Sequence, residues 1–327
     1  MAATVNSAFE EFNKNVVNLD PDRTSKAISS RDWLWGQLNK LDSKENLNFP
    51  FKYEDKHIKF GSFARKTKIR ELDDIDLMFC LTANGATYTL YGSTYYINTP
   101  NAGSRLKNLS DNDILNSRKV VNKLKSALSE VEHYKSAELH SRGEAATLNL
   151  LTYEWVYDIV PCFYTDTELY LIPDGNGNWK ATDPRIDQNL VTETNQNYAG
   201  RLLQLIRILK FWNRHNSSFT LSSYLFEQIV INFTKSKTAL SEWIDINIKD
   251  FFSYLSTYIY YAVNDPKGIQ GDLNCLTYEQ RKSISEKAKW AHDKAVEAID
   301  AEIKEKDQEK AINKWREIFG NKYPKYE

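Results

Sequence analysis

The spacing of apolar residues changes once along the chain and so predicts two kinds of structure. In the first half, apolar residues come in short runs or alternate with polar ones, as in "HIKFGS", "DIDLMFCL", "TYYIN", "AATLNLL", "EWVYDIVPCF" and "ELYLIP". Such segments are typical of strands. From about Asn195 the spacing becomes three or four residues, as in "NYAGRLLQLIRILKFWNRH", which is typical of amphipathic helices. Strands followed by helices predict an α+β fold with a sheet lobe and a helical lobe.

Helices are also predicted before and after the strands. A short one over "SAFEEFNKNVVNL" and a long one over "PDRTSKAISSRDWLWGQLNKL" are separated at Asp20 and Pro21, which suit the N-cap and the first helical position. Another is expected over "SDNDILNSRKVVNKLKSALSEV". Near the C-terminus an apolar stripe indicates a packing face, with an oligomer seam as the alternative; it consists of Ile284, Ala288, Ala291, Ala295 and Ile299.

At 327 residues the chain is long enough for two packed lobes. We place them at residues 1–194, with the N-terminal helices bracing both lobes, and at residues 195–327, with a cleft between the two. A hydrophobic fraction of 41%, with 15 Phe, 19 Tyr and 8 Trp, is sufficient for a large core.

Charge and cysteine content exclude several classes of protein. The 43 Lys and Arg residues nearly balance 44 Asp and Glu, so the chain lacks the positive excess of a duplex-DNA coat protein. Cys80, Cys162 and Cys275 form no CxxC pair, which indicates buried thiols in a reducing compartment. No apolar run reaches about 18–20 residues and no signal-peptide core is present, so we expect a cytoplasmic protein without membrane attachment.

Three aspartates on the predicted strands are candidates for metal binding. Asp74 and Asp76 in "DDIDLMFCL" share one strand face, with Cα atoms ~6.5–7 Å apart, so their carboxylates can converge on one cation. Asp158 in "EWVYDIVPCF" has apolar neighbours, among which an ionised carboxylate needs a compensating charge. Oxygen ligands suit Mg²⁺, and three such carboxylates describe a two-metal site. The alternatives are a solvated acidic pair at a strand start and a hydrogen-bonded structural carboxylate at residue 158.

A Gly-Ser pair precedes these aspartates in "KFGS". Gly61 at the end of a strand allows the backbone to approach a phosphate, and the N-terminus of a following helix offers free N–H groups. Ser62 can add a hydroxyl donor. The alternative for the pair alone is a simple strand-to-helix turn.

The combination of Gly-Ser, the Asp-Ile-Asp strand and a later strand with one aspartate resembles the nucleotidyltransferase superfamily with a polymerase-β-like fold. Within it, the chain resembles the bacterial cGAS-like enzymes, the CD-NTases of anti-phage signalling (CBASS) systems. The resemblance rests on "GSFARKTKIRELDDIDLMF", "YDIVPCF", "WKATDPRIDQNLVTETNQ" and "AINKWREIFGNKYP". It implies a polymerase-β-like sheet lobe packed on a C-terminal helical lobe.

The resemblance also implies an activity: synthesis of a cyclic di- or oligonucleotide messenger from nucleoside triphosphates, with ATP, GTP or both as the first expectation and pyrimidine triphosphates as the alternative. Asp74, Asp76 and Asp158 would hold two Mg²⁺ ions, which Mn²⁺ can replace, and Asp158 would assist the attacking hydroxyl. Gly61 and Ser62 would bind the β- and γ-phosphates.

In the helical lobe, the resemblance implies that Lys210 in "RILKFWN" and Ser223 in "LSSYLFEQI" contact the triphosphate, and that Tyr224 stacks on a base. The alternatives are a helix-surface lysine and a tyrosine at the edge of the core. No His/Cys cluster corresponds to the zinc insertion of animal cGAS, so we expect constitutive or protein-regulated activity, not activation by DNA.

Two other functions remain open from the sequence. One is a template-independent transferase that adds a nucleotide to an RNA end, a protein or a small molecule; the near-neutral charge disfavours long RNA. The other is a catalytically silent member that only binds nucleotides. Base specificity, linkage and ring size depend on side chains that sequence spacing does not place.

Overall fold

The computed structural model describes residues 2–134, 137–150, 152–215 and 219–327. The chain divides into two compact units. The sheet unit comprises residues 21–66 and 71–188, and the helical unit comprises residues 1–20, 67–70 and 189–327. Residues 1–20 group with the helical unit. The division between residues 194 and 195, with the N-terminal helices bracing both lobes, stays a prediction.

The α-helices are, in chain order, α1 (Val5–Phe12), α2 (Pro21–Leu38), α3 (Gly61–Ala64), α4 (Ser104–Lys107), α5 (Ser117–Ser129), α6 (Pro184–Asn197), α7 (Leu202–His215), α8 (Ser223–Lys235), α9 (Ile244–Tyr258), α10 (Tyr278–Asp300) and α11 (Gln308–Phe319). Short π-helical turns continue α1 at Asn13–Val17 and α10 at Ala301–Glu305.

The strands are β1 (Ile58–Phe60), β2 (Asp74–Leu81), β3 (Thr87–Tyr91), β4 (Thr94–Asn98), β5 (Ser110–Asp111), β6 (Ile114–Leu115), β7 (Glu138–Arg142), β8 (Ala145–Asn149), β9 (Val156–Tyr164), β10 (Tyr170–Pro173) and β11 (Trp179–Thr182). All of them lie in the sheet unit.

These strands form a single sheet with the order β1-β2-β9-β10-β11-β4-β6-β5. In addition, β3 pairs with β4, and β8 pairs with both β7 and β9. The pairing of β2 with β9 is parallel, and the other pairings are antiparallel. The parallel pair β2 and β9 therefore lies inside the sheet, where both strands have neighbours on each side.

The core of the helical unit joins the N-terminal residues to the last helices. Phe9 of α1 packs edge-on against Trp315 of α11 with ring centroids 5.0 Å apart, and Phe12 packs in the same way against Phe211 of α7 at 5.0 Å. The apolar stripe of α10 is buried in this core, which confirms the predicted packing face; its buried members are Ile284, Ala288, Ala291 and Ala295.

Most of the predicted elements are confirmed, including the break that starts α2 at Pro21. The helix predicted over residues 110–131 is wrong in its first part, because residues 110–115 form the β5–β6 hairpin. Asn112 and Asp113 adopt positive φ in its turn, and the Asn116 side chain caps α5 by accepting a hydrogen bond from the backbone N–H of Arg118 at 3.0 Å. The sequence pattern also missed β7 and α6.

The three cysteines differ in exposure. Cys80 and Cys162 are buried opposite each other on β2 and β9, as expected, but Cys275 is exposed, which corrects the prediction of three buried thiols. Across the described ranges, none of the helices has the length and apolar character needed to cross a bilayer.

Candidate active site

The three predicted aspartates lie on one face of the parallel pair β2 and β9. Asp76 and Asp158 are directly opposite each other in the register, and Asp74 is two residues before Asp76 on the same strand. Because side chains two residues apart on a strand share a face, and directly paired residues point the same way, the three carboxylates leave the sheet together. All three are half-buried.

Alternating burial explains why this face carries charge. On β2, Ile75 and Leu77 are 1% and 0% exposed, and on β9, Tyr157 and Ile159 are both fully buried, so the opposite face belongs to the core. Burial of these apolar side chains orients both strands, because a slip by one residue would bring the aspartates into the core.

On the carboxylate face itself, the next residues along each strand are apolar. Met78 and Val160 are buried in a cluster that also contains Cys80 and Cys162. The half-buried carboxylates therefore lie next to a buried apolar cluster. Charge interactions are stronger beside such a cluster than in water, because the local dielectric is lower.

Thr147 is a member of this site that the sequence analysis missed. It pairs with Asp158 across the antiparallel strands β8 and β9, and its Oγ1 donates a hydrogen bond of 2.6 Å to Asp158 Oδ1. The alternation of "AATLN" places Thr147 on the polar face of β8, since Ala146 and Leu148 are both fully buried. Which residue of β9 lies opposite Thr147, however, depends on the β8–β9 register, and the spacing of residues within β8 does not show that register.

Gly61 touches the same site from the start of α3. It has φ +75°, and a Cβ atom built on it would come 1.8 Å from Asp76 Oδ2 and 2.5 Å from its Cγ. The adjoining β1 pairs with β2 so that Phe60 lies opposite Asp76. Only glycine fits here, because residue 61 needs both the left-handed conformation and the space beside the carboxylate. Ser62 follows directly and is half-buried.

The donor set fits a divalent cation in its chemistry and in its backbone placement. Three carboxylates leave one sheet face, with adjacent strands ~4.8 Å apart and successive same-face residues ~6.5–7 Å apart, so rotation of side chains can bring their oxygens together without moving the backbone. Among the residues that the structure describes, no three His, Cys, Asp or Glu side chains are already gathered around a common point.

Lys210, predicted to contact phosphate, is buried on α7 of the helical unit, so it is not a helix-surface lysine. Its Nζ lies 3.5 Å from Glu227 Oε2 on α8, and the side chains of Lys210 and Glu227 are 8% and 0% exposed. Thr67 Oγ1 donates a hydrogen bond of 2.8 Å to the same Oε2 atom. The carboxylate thus holds the ammonium group in one place, since a buried charge needs a partner.

Ser223 and Tyr224 form the first turn of α8, after the N-cap Ser222. Ser223 is exposed, whereas Tyr224 is half-buried. The Tyr224 hydroxyl donates to Asp265 Oδ1 at 3.2 Å and accepts a hydrogen bond from Lys267 Nζ. Asp265 and Lys267 were not found from the sequence, because no short motif connects a tyrosine to a turn far along the chain.

The structure thus brings together Gly61, Asp74, Asp76 and Asp158 in the sheet unit, with Ser62 directly after Gly61 in the sequence. In the helical unit, Ser223 and Tyr224 are adjacent on α8. Lys210 reaches that same helix through Glu227. The roles assigned to these residues in phosphate, metal and base binding remain predictions.

The chain is similar in sequence to proteins named as cyclic nucleotide synthases. No family model matches the chain. A probable cyclic nucleotide synthase of Bacillus cereus strain VD146 is 47% identical over 334 residues, and the alignment covers 100% of both chains. A cyclic AMP-AMP-AMP synthase of an Acinetobacter species is 29% identical over 178 residues, which is 51% of this chain and 50% of that protein.

Solved structures share the fold at low sequence identity. CdnC of E. coli MS115-1, solved with ATP, superposes with a TM-score of 0.71 at 17% identity, covering 97% of this chain and 98% of CdnC. CdnC in a complex with HORMA-deltaN gives a TM-score of 0.73 at the same identity and coverage. The cyclic AMP-GMP synthase DncV of Vibrio cholerae, described as a prokaryotic cGAS homologue, gives 0.60 at 16% identity, covering 83% of this chain and 70% of DncV.

Proposed function

The chain belongs to the bacterial cGAS-like cyclic nucleotide synthases (CD-NTases), and from this membership we propose that it joins nucleoside triphosphates into a cyclic di- or oligonucleotide messenger through Asp74, Asp76 and Asp158. One observation carries the assignment of residues. Asp158 is paired with Asp76 across two parallel strands, with Asp74 on the same face. That arrangement presents three oxygen ligands at one surface, as a nucleotidyl transfer that depends on divalent metal ions requires.

In the proposed reaction, a ribose hydroxyl of one nucleotide attacks the α-phosphorus of a triphosphate. The new P–O bond forms as the bond to pyrophosphate breaks, and Asp158 accepts the hydroxyl proton before passing it to solvent. When bound, Mg²⁺ or Mn²⁺ neutralises phosphate charge and lowers the pKa of the attacking hydroxyl, and we assign its ligands to Asp74, Asp76 and Asp158. Thr147 would keep Asp158 turned toward the substrate.

The remaining predicted residues would bind the triphosphate. Gly61 brings the backbone next to the metal-binding face without a side chain, and Ser62 would donate its hydroxyl to phosphate. Lys210 and Ser223 would neutralise and bind phosphate oxygens, and Tyr224 would stack on the base, since an aromatic ring accepts any base.

ATP is the first substrate to test, because CdnC was solved with ATP and one relative is a cyclic AMP-AMP-AMP synthase. A protein regulator is a further proposal, supported by the complex of CdnC with HORMA-deltaN. We retain from the sequence the expectations of a cytoplasmic location, a role in anti-phage defence, and activity without duplex DNA.

The test is to incubate the pure chain with Mg²⁺ and each combination of labelled ATP, GTP, CTP and UTP, and to analyse the products after phosphatase treatment. We expect a phosphatase-resistant product from triphosphates alone. Label transferred only to added RNA would favour the alternative transferase, and no turnover with either Mg²⁺ or Mn²⁺ would favour a silent nucleotide-binding protein.

The carboxylate assignment has its own matched variants. Asp76→Asn and Asp158→Asn should each lower the rate by at least about 100-fold with little change in melting temperature, because asparagine keeps the size of aspartate but removes the negative charge that the reaction uses. The control is Asp73→Asn, which makes the same chemical change one residue outside β2, at an exposed position. Normal turnover by Asp76→Asn would count directly against the assignment.

A further inference from the structure

A buried cluster connects Tyr224 to the turn formed by residues 264–272. The turn closes through the bridge of Asn264 with Asp272 and through a hydrogen bond of 2.9 Å from the backbone N–H of Asp265 to the carbonyl of Gly271. Asp265 and Lys267 point from this turn toward the first turn of α8. There, Asp265 Oδ1 accepts from the Tyr224 hydroxyl, and Lys267 Nζ lies 4.4 Å from the centroid of the Tyr224 ring.

The Asp265 carboxylate is the centre of this cluster. It accepts backbone N–H groups of Lys267 at 3.3 Å, Ile269 at 3.2 Å and Gln270 at 3.0 Å, and it pairs with Lys267 Nζ at 2.9 Å. Burial alone would raise the pKa of Asp265, but the ammonium group of Lys267 and the N–H of Gln270 outweigh it, so the pKa lies below its usual value. Asp265 therefore stays charged and holds Lys267 and Tyr224 together.

Burial restricts what Lys267 can do. Its side chain is 4% exposed and that of Asp265 is 0% exposed. An ammonium group enclosed in this way is neutralised by the carboxylate and covered by the tyrosine ring, so it offers little charge to a phosphate group arriving from solvent. It contacts Tyr224 through the hydroxyl and through one face of the ring. A base would then have to stack on the other face.

The hydroxyl of Tyr224 is also engaged. A phenol has one O–H to donate, and here it goes to Asp265, while Lys267 donates to the oxygen. The hydroxyl therefore has no proton left with which to recognise an acceptor atom on a base edge. Its oxygen already accepts from Lys267, so the contact that the tyrosine offers to every base alike is its ring.

We propose that Asp265 and Lys267 are positioning residues that fix the ring of Tyr224 for base stacking, and that the Tyr224 hydroxyl takes no part in base selection. This inference rests on the proposed function, because it assigns the ring to a bound nucleotide. It adds Asp265 and Lys267 to the proposed binding site, where both residues act through Tyr224.

The experiment compares Lys267→Met, Tyr224→Phe, Tyr224→Ala and the double variant Lys267→Met/Tyr224→Ala, with Lys304→Met as an exposed lysine control in the same unit. The KM for each nucleoside triphosphate is measured, together with inhibition by inorganic tripolyphosphate, which occupies the phosphate site without a base. Tyr224→Ala should raise the KM by about 5- to 100-fold with little change in kcat, as expected for loss of one base stack.

Lys267→Met should raise the KM in the same direction, leave inhibition by tripolyphosphate unchanged, and add nothing in the Tyr224→Ala background. Tyr224→Phe should keep the order of preference among ATP, GTP, CTP and UTP. If Lys267→Met weakens tripolyphosphate inhibition, or lowers affinity equally when Tyr224 is already alanine, Lys267 binds the nucleotide directly and the inference is wrong. A changed base preference in Tyr224→Phe would also overturn it.

Failure of the proposed function gives a different result. If Tyr224→Ala leaves every KM unchanged, the base-stacking role of Tyr224 is wrong, whatever Lys267→Met does. Because removal of Lys267 leaves a buried carboxylate without its cation, this variant could fail to fold. Lys267→Arg, which keeps the charge, and Asp265→Asn/Lys267→Met, which removes both charges, then provide the comparison. The arginine variant should restore most of the affinity that the neutral pair loses.

Discussion

Gly61 and Asp76 are in direct contact, and the carboxylate of Asp76 occupies the space that a side chain at residue 61 would need. The glycine follows β1 and begins α3, and its φ of +75° turns the chain at this point. Two separate requirements, backbone conformation and space, therefore fall on one residue. The close approach connects the Gly-Ser segment to the carboxylate face through van der Waals contact, so a change at residue 61 should act on catalysis through Asp76.

Gly61→Ala should lower kcat by at least about 100-fold, because the new methyl group has to displace the Asp76 carboxylate from its position. The matched control is Gly92→Ala. Gly92 has φ +62°, so alanine there meets the same backbone strain, but no atom lies within 4 Å of the added Cβ. Both variants should lose about 1–2 kcal/mol of stability from the left-handed backbone, with a further loss in Gly61→Ala from the displaced carboxylate, measured by urea unfolding, and only Gly61→Ala should lose turnover. Equal turnover in the two variants would show that the contact with Asp76 is unimportant.

Thr147→Val should lower kcat by about 3- to 30-fold, because the Asp158 carboxylate loses the hydrogen bond that orients it. Valine keeps the shape of threonine and suits a strand, so the melting temperature should change little. Thr147→Ser keeps the hydroxyl and should retain most of the activity. Steady-state kinetics with ATP and Mg²⁺ measure the effect, and equal rates for the valine and serine variants would exclude a role for the hydroxyl.

The carboxylate face could be predicted from local pattern because it depends on alternation within single strands. In "DIDLMFCL" the apolar residues Ile75 and Leu77 are buried, which leaves Asp74 and Asp76 together on the other face. The apolar neighbours of Asp158 indicated a carboxylate with a special role in the same way. Burial periodicity is a property of a few consecutive residues, so one sequence is enough to show it.

Features that depend on distant pairing could not be predicted. The register that places Thr147 beside Asp158 is set by how β8 and β9 pair. The contacts of Tyr224 with Asp265 and Lys267 join segments 41 and 43 residues apart. The helix predicted from residue 110 begins only at Ser117, and the reason is local. Asn112 and Asp113 form a tight turn, because both residue types tolerate positive φ better than most residues do.

His57 should make the folded sheet unit sensitive to acid. Its ring stacks on Trp35 with centroids 5.0 Å apart, and its Nδ1 accepts a hydrogen bond of 3.0 Å from the backbone N–H of Cys80. Burial, with a smaller effect from Lys52 and opposed by Asp42, lowers the pKa of His57 from 6.5 to about 4. The unfolded chain then binds a proton that folded His57 does not. The contribution of His57 to the free energy of unfolding is therefore fully present above pH 6.5 and is lost as the pH decreases toward 4.

We expect the loss from His57 to be about 1–2 kcal/mol after allowance for solvent screening. Urea unfolding between pH 7.5 and 4, a range chosen to include both pKa values, measures it against His57→Gln. That variant should be less stable at neutral pH and show a flatter profile. His140→Gln, which changes a histidine that is 67% exposed, should keep the profile of the unmodified chain. A profile that is equally steep without His57 would assign the acid sensitivity to other groups.

Variants of Lys210 and Glu227 should separate the effect of this ion pair on stability from the effect of Lys210 on substrate binding. Lys210→Ala removes the ammonium group that lies 3.5 Å from the fully buried Glu227 carboxylate, so the free energy of unfolding should fall by about 3–5 kcal/mol, and the KM for ATP should rise. In Lys210→Met/Glu227→Gln neither residue carries a charge, so most of the stability should return, whereas the KM should remain high because no ammonium group is left for phosphate. Thermal unfolding and steady-state kinetics separate the two effects, with the exposed Lys282→Met as the control. If the double variant recovers the KM together with the stability, Lys210 acts through packing alone and does not bind the triphosphate.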